Sequence, residues 1–265
     1  EVQVFLGSLV KDEDRAVARA ALNALGRSDS PLATRALAGA LQNPRPELRL
    51  AAARALAKAG DGEGRKALLA LVGGQQGAEA ARALAKLKGP EARQELLALA
   101  RGGSISSQRH VLAALSGLRG PDVEATLDDL RKSATPQVAA QALGRLAQLQ
   151  GAKALPTLQR AFREGSNYER RAALRQLVKL GHPQLQKLLR ETAANTGDYT
   201  LRHTALAALV KRSGPEAKRL MLDMYKNGDS NLRTNVAYYL PQVGGAEARE
   251  ALLKQLRTNS HDHSV

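Results

Sequence analysis

Apolar positions along this chain recur at helical spacing, and the helical runs themselves recur. Runs of small and apolar residues close on an anchoring leucine at Leu22, Leu56, Leu84, Leu115, Leu146, Leu177, Leu209 and Leu240. The intervals are 34, 28, 31, 31, 31, 32 and 31 residues. A fixed period of this size marks stacked supersecondary units. A glycine follows each anchor within a few residues: Gly26, Gly60, Gly89, Gly120, Gly151, Gly181, Gly214 and Gly244. Glycine after a periodic run predicts a helix C-terminus, because it takes positive φ without a Cβ clash.

A second helix fits between each glycine and the next anchor. Pro31, Pro90, Pro121, Pro183 and Pro215 stand where its first residue is expected, a position whose N–H has no helical partner to lose. Acids follow in Pro90-Glu91 and Pro121-Asp122, where they complement the helix dipole. The anchored helix opens at Ser104, Thr135, Ser166, Asp198 or Asp229, and Ser166-Asn167-Tyr168-Glu169 has the capping-box form. Each unit is therefore two antiparallel helices in about 31 residues, with no strand pattern.

A pair of this size cannot bury its apolar side alone, whereas stacked pairs can. The expected fold is all-α, a right-handed α-solenoid of about eight stacked helical hairpins in one domain, residues 1–258, with a flexible tail over 259–265. The alternative, a closed bundle, needs more varied helix lengths and no fixed period. Val2, Val4, Phe5, Leu6, Leu9 and Val10 read as the end of a helix whose start precedes residue 1. With no initiator Met, the chain reads as processed or as a fragment, so a targeting signal is out of view.

The anchored helices carry an apolar-Arg-x-x-Ala-x-x-Ala-Leu pattern. It stands as Leu48-Arg49, Ala52, Ala55-Leu56, again as Leu201-Arg202, Ala205, Ala208-Leu209, and more loosely as Leu232-Arg233 with Leu240. In this the chain resembles the HEAT-repeat family, including the short bacterial HEAT-like repeats also found in phycobilin lyases. The resemblance implies a helical-repeat fold whose second helices line a concave surface. It implies no particular activity, since such scaffolds host many. Departures fall mid-chain: Gln108 and Ala139 replace the Arg, and Gly73-Gly74-Gln75-Gln76-Gly77 shortens the third unit.

Composition narrows the chemistry. Of 265 residues 43% are hydrophobic and only 3% aromatic, mostly Ala and Leu with no Trp, which favours helix throughout. There is no cysteine, which removes disulfides, thiolate metal sites and a thiol nucleophile and fits cytoplasm and periplasm alike. No apolar run approaches the ~20 residues of a membrane-spanning helix. The formal charge is +15, from 40 Lys and Arg against 25 Asp and Glu, and points to an acidic partner.

With each anchor at position zero and about 100° per residue, positions −8, −7, −4, −3 and 0 form the buried stripe. Arg15, Arg49, Arg170, Arg202 and Arg233 at −7 sit at its edge, where bonds to carboxylates or helix ends of a neighbouring unit are expected. Positions −6, −2 and +2 point away. Those 24 sites hold Arg54, Lys58, Arg82, Lys86, Arg109, Arg171, Arg175, Lys179 and Lys211, and no acid. At chain-average usage they would hold about four basic residues. Acids gather on first helices instead: Glu91, Glu95, Asp122, Glu124, Asp128 and Asp129. The basic excess is stronger in the second half, where six of the seven aromatics also lie. There Arg171, Arg175, Lys179, His203, Lys211 and Tyr238 form the preferred site, since Tyr and Arg anchor interfaces.

Nothing in the sequence assembles a catalytic set, a cofactor site or a metal site. The outward face has no carboxylate to act as acid or base. Gly60-Asp61-Gly62-Glu63-Gly64 lacks the ligand spacing of a calcium loop and the Gly-Lys-Ser/Thr of a phosphate loop, and reads as a turn. His261-Asp262-His263 falls in the expected tail. HEAT-like DNA glycosylases use groove aromatics and an acid that this face lacks. The expected function is a non-enzymatic scaffold that binds an acidic protein or peptide along the second helices. The alternative is charge-driven binding of a polyanion, nucleic acid or acidic glycan, without sequence readout.

Overall fold

A computed structural model describes residues 1–211 and 214–261 of the chain. Among them every regular element is helical, and the chain divides into two compact units, Glu1–Leu149 and Gln150–Val265.

In the first unit the helices are α1 (Val2–Leu9), α2 (Arg15–Leu25), α3 (Pro31–Ala40), α4 (Pro46–Lys58), α5 (Gly62–Leu71), α6 (Gly77–Ala85), α7 (Pro90–Gly102), α8 (Ile105–Ala114), α9 (Pro121–Arg131) and α10 (Pro136–Gln150). The second unit holds α11 (Leu155–Glu164), α12 (Asn167–Leu180), α13 (Leu185–Asn195), α14 (Tyr199–Lys211), α15 (Pro215–Asn227), α16 (Ser230–Val243) and α17 (Ala246–His261). The helices pair as expected into hairpins, with an anchor leucine in every even-numbered helix or, for Leu115, in the 3-10 turn that closes it. Helix α17 continues to His261, past the expected end at 258; Asp262, His263 and the rest of the expected tail lie outside the described residues.

Two layers result within each unit. First helices touch first helices (α1 on α3, α5 on α7, α7 on α9; α13 on α15). Second helices touch second helices (α2 on α4, α4 on α6, α6 on α8; α12 on α14, α14 on α16). The anchors are at most 4% exposed, and the core between the layers is Leu, Ala and Val. One cluster runs from Val10 to Leu56 and another from Leu50 to Leu146; Leu174 to Ala248 form that of the second unit. Stacking therefore continues through the short third repeat and past Gln108 and Ala139, which stand in place of the arginine.

Helix starts follow the sequence chemistry. Asp14, Ser30, Asp61, Ser104, Ser166, Asp198 and Asp229 accept from backbone N–H groups at the helix starts. The capping box at Ser166 is complete, with Glu169 accepting from the Ser166 N–H. Asp61 accepts from the N–H groups of Glu63 and Gly64, so the glycine-rich segment is a turn that caps α5.

Some local expectations are corrected. Pro183 is not the first helical residue: His182 Nδ1 accepts from the Gln184 N–H at 3.2 Å, holding a turn, and α13 begins two residues later. Six of the eight post-anchor glycines have positive φ, but Gly26 (φ −70) and Gly214 (φ −104) do not. At Gly26 the reason for glycine is space, since a Cβ would come within 2.7 Å of the Ala55 Cβ. The −7 arginines bond their own hairpin rather than a neighbour. Arg49 donates to the Asn43 and Pro44 carbonyls, Arg170 to Phe162 and Arg202 to Thr196, tying each second helix to the end of the first helix before it. Arg15 alone pairs across, with Glu47 at 3.5 Å.

The short link before α6 has its own clasp. The Nδ1 of His110, on α8, lies 2.7 Å from the Val72 carbonyl at the end of α5. Gly77 makes the room: a Cβ there would fall 2.1 Å from that nitrogen.

Candidate functional site

Five cations of the first helices form ion pairs to the next repeat. Arg65 on α5 meets Glu95 on α7 at 2.8 Å, although its Nε–H is not aimed at the carboxylate. Arg93 on α7 grips Asp122 on α9 with two nitrogens, at 2.5 and 2.6 Å. Arg101 reaches Asp129 at 3.0 Å. In the second unit Arg190 reaches Asp223 at 3.1 Å and Lys218 reaches Glu247 at 3.7 Å. The hydrogen bond from Arg93 holds the Asp122 carboxyl below its usual range. Lys132 and Arg131 do the same for Asp128. Of the acids that the sequence places on the first helices, Glu95, Asp122 and Asp129 are thus partners of cations one repeat earlier, and Asp128 pairs within its own repeat.

The second helices differ. In the first unit Arg54 and Lys58 on α4, Arg82 and Lys86 at α6, and Arg109 on α8 are all exposed and take part in none of the ion pairs of the described residues. They form one row, because α4, α6 and α8 lie side by side. In the second unit Arg175 and Lys179 on α12 are likewise exposed and unpaired, and Lys211 is exposed in the last turn of α14.

The −6 column is a correction. Leu50 is 4% and Ala140 8% exposed, and Arg171 is half-buried. At about 120° from the anchor this column flanks the buried stripe, whereas −2 and +2 lie at about 160° and 200°. It is covered at Leu50, Ala140 and Arg171, whereas Arg109, at the same position of α8, stays exposed. Arg171 accordingly lies 3.3 Å from Asp198 Oδ2 and 5.2 Å from the Tyr168 ring centroid, and donates to the Asn167 carbonyl. It holds α12 to the start of α14 and is removed from the candidate binding row. Asp198 is the carboxylate that sequence reasoning missed at this edge, because its link to Arg171 spans 27 positions.

His203, also at −6, turns toward α16 and sits among tyrosines. Its ring centroid is 4.1 Å from Tyr199, 5.5 Å from Tyr239 and 6.1 Å from Tyr238. Its Nδ1 lies 2.9 Å from the Tyr239 hydroxyl, which also reaches the His203 carbonyl at 3.4 Å. Tyr239 is 9% exposed, and burial raises its hydroxyl pKa. Tyr199 and Tyr238 are each 67% exposed, a large apolar area left in water. An open groove of about 810 Å³ lies between α14 and α16, walled by these rings with Asn231, Thr234 and Asn235. Sequence reasoning found His203 and Tyr238 but not Tyr199 or Tyr239. The i, i+4 spacing of Tyr199 and His203 was the available signal.

A family model of HEAT repeats matches residues 2–79, 123–210 and 187–263, well over half the chain. The chain belongs to the HEAT-repeat family. HEAT repeats usually mediate protein interactions, and a scaffold or interaction role follows for this chain. No curated protein sequence matches it. Similar solved structures include the complex of CpcE and CpcF of phycocyanin lyase from Nostoc sp. PCC7120. That likeness has 23% identity and a TM-score of 0.38, over 88% of this chain and 94% of that one. Human deoxyhypusine hydroxylase in complex with glycerol is 18% identical with a TM-score of 0.34, over 91% of this chain and 95% of that one. Likenesses this distant do not bear on what these HEAT repeats bind. No described helix is long and apolar enough to cross a membrane.

Proposed function

We propose that these HEAT repeats form a non-enzymatic scaffold that binds an acidic protein segment along the second helices. One observation carries the reading: Arg65, Arg93, Arg101, Arg190 and Lys218 on the first helices pair with carboxylates of the next repeat, whereas Arg54, Lys58, Arg82, Lys86, Arg175 and Lys179, at −2 and +2 of the second helices, stand exposed and take part in none of the ion pairs of the described residues. Same-sign charge in a row costs self-repulsion, and an acidic chain laid across it relieves that cost. Repeat stacks present such extended faces to their partners.

The double variant Arg175→Glu with Lys179→Glu tests this on the whole chain. Both side chains are exposed, so the fold tolerates the change. Binding of a fluorescein-labelled glutamate-rich dodecapeptide, read by anisotropy, is expected to weaken by about tenfold or more. The paired first-helix variant Arg101→Gln is expected to leave it unchanged. Equal affinity of both variants for the peptide overturns the reading. A duplex DNA that binds more tightly than the peptide, with a log–log salt slope near the number of phosphates neutralised, replaces it with polyanion binding.

A further inference from the structure

The aromatic groove of the second unit adds something the basic row does not explain. Two of the chain's five tyrosines stand with their rings two-thirds exposed on neighbouring second helices, Tyr199 on α14 and Tyr238 on α16. Tyr238 meets Tyr239 edge to face with centroids 5.0 Å apart, and Tyr239 is in turn fixed by His203. The walls of the groove are therefore preorganised. Among the described residues no carboxylate lines it, and its one cation, Arg202, donates through Nη2 to the Thr196 carbonyl. The groove carries that single charge. The next second helix, α12, carries the unpaired Arg175 and Lys179.

An aromatic trough with one cation beside a ridge of two suits a ligand whose charge is segregated along its length. A nucleic acid or sulfated glycan carries charge at every residue and would lay it over the tyrosines. A peptide can be apolar at one end and acidic at the other. Among peptides, a proline-bearing stretch in polyproline II conformation suits exposed aromatic walls, because it is already extended and loses little entropy on docking. The amide of Asn231, and the second N–H of Asn235, whose first is held by the Asn231 carbonyl, suit its unpaired backbone carbonyls.

We infer that the groove between α14 and α16 seats a proline of an acidic peptide segment, whose carboxylates reach Arg175 and Lys179 on α12. The inference rests on the proposed acidic partner and adds an anchor to it. Neighbouring helix axes lie about 10 Å apart and polyproline II rises about 3.1 Å per residue, which sets the acids roughly three to six residues from the proline.

The test is a cycle on the full chain with three synthetic dodecapeptides: one with a Pro-Pro pair four residues from a Glu-Glu-Glu run, one with the prolines changed to Ala, and one with the glutamates changed to Gln. Affinity is read by anisotropy, and tyrosine emission serves as a second signal because the chain has no Trp. Tyr238→Ala is expected to weaken the first peptide about tenfold. The Pro→Ala peptide should lose a similar factor on the wild-type chain and little more on Tyr238→Ala, since both changes remove one contact. Tyr199→Ala, a second exposed position, should behave in the same way. If proline and alanine peptides bind equally and neither tyrosine variant changes affinity, the groove seats no proline. In that case a continued loss with the glutamine peptide leaves the acidic-partner reading standing. If none of the three peptides binds, both fail. Single-stranded oligothymidylate that binds more tightly than any peptide and depends on Tyr238 also overturns the inference, in favour of base stacking.

Discussion

Gly64→Ala is expected to destabilise the first unit by about 3 kcal/mol, a large loss for one methyl group. Gly64 lies in the first turn of α5, where the helix crosses the end of α4. A Cβ there would stand 2.3 Å from the Ala57 nitrogen and 2.5 Å from the Leu56 Cβ. Those neighbours are backbone and a fully buried anchor, so neither can swing aside. Urea denaturation followed by circular dichroism gives the value. Gly62→Ala, one turn-position earlier with open space around it, is the control. It should leave stability unchanged or raise it by up to about 0.5–1 kcal/mol, because alanine restricts the unfolded chain. Equal effects of the two substitutions would mean that α4 and α5 do not approach as closely as described.

Leu209→Ala is the second large effect, expected at about 2–5 kcal/mol. Leu209 is 1% exposed and belongs to the cluster that joins α12, α13, α14 and α16 through Leu174, Leu189 and Leu240. Its neighbours in the cluster are buried Leu and Met side chains fixed on packed helices, so the cavity closes only in part. In a repeat stack stability is a sum of repeat and nearest-neighbour terms. Native-state hydrogen exchange should therefore show faster opening of α13, α14 and α16, with α4 and α5 in the first unit retaining their protection. Uniform acceleration across all helices would contradict a repeat-wise distribution of stability.

The hairpin repeat was legible because its signals are local. Leucine spacing, proline at N1 and the Ser and Asp caps each act within one or two turns of helix, and among these only Pro183 departs from the reading. The outward positions −2 and +2 were legible too, since they lie furthest from the anchor on any straight helix. What stayed hidden depends on neighbours about thirty residues away. Whether −6 meets solvent or the next repeat turns on inter-repeat packing, which buries Leu50 and pairs Arg171 with Asp198. The Arg93–Asp122 and Arg101–Asp129 pairs are of the same kind: composition shows acids on first helices but not that Glu95, Asp122 and Asp129 each have a cation one repeat earlier. The aromatic groove needs α14 beside α16, and only the Tyr199–His203 half of it was written in one helix.

Hydrogen exchange with and without a saturating glutamate-rich peptide is the most direct measure of which layer of helices meets the partner. Protection should grow on the second helices, led by α12 and α14, and stay unchanged on first helices such as α7 and α13. Added protection confined to the first helices, or none anywhere while the peptide is bound, would show that the exposed lysines and arginines of the second layer are solvent-facing charge and not a docking row.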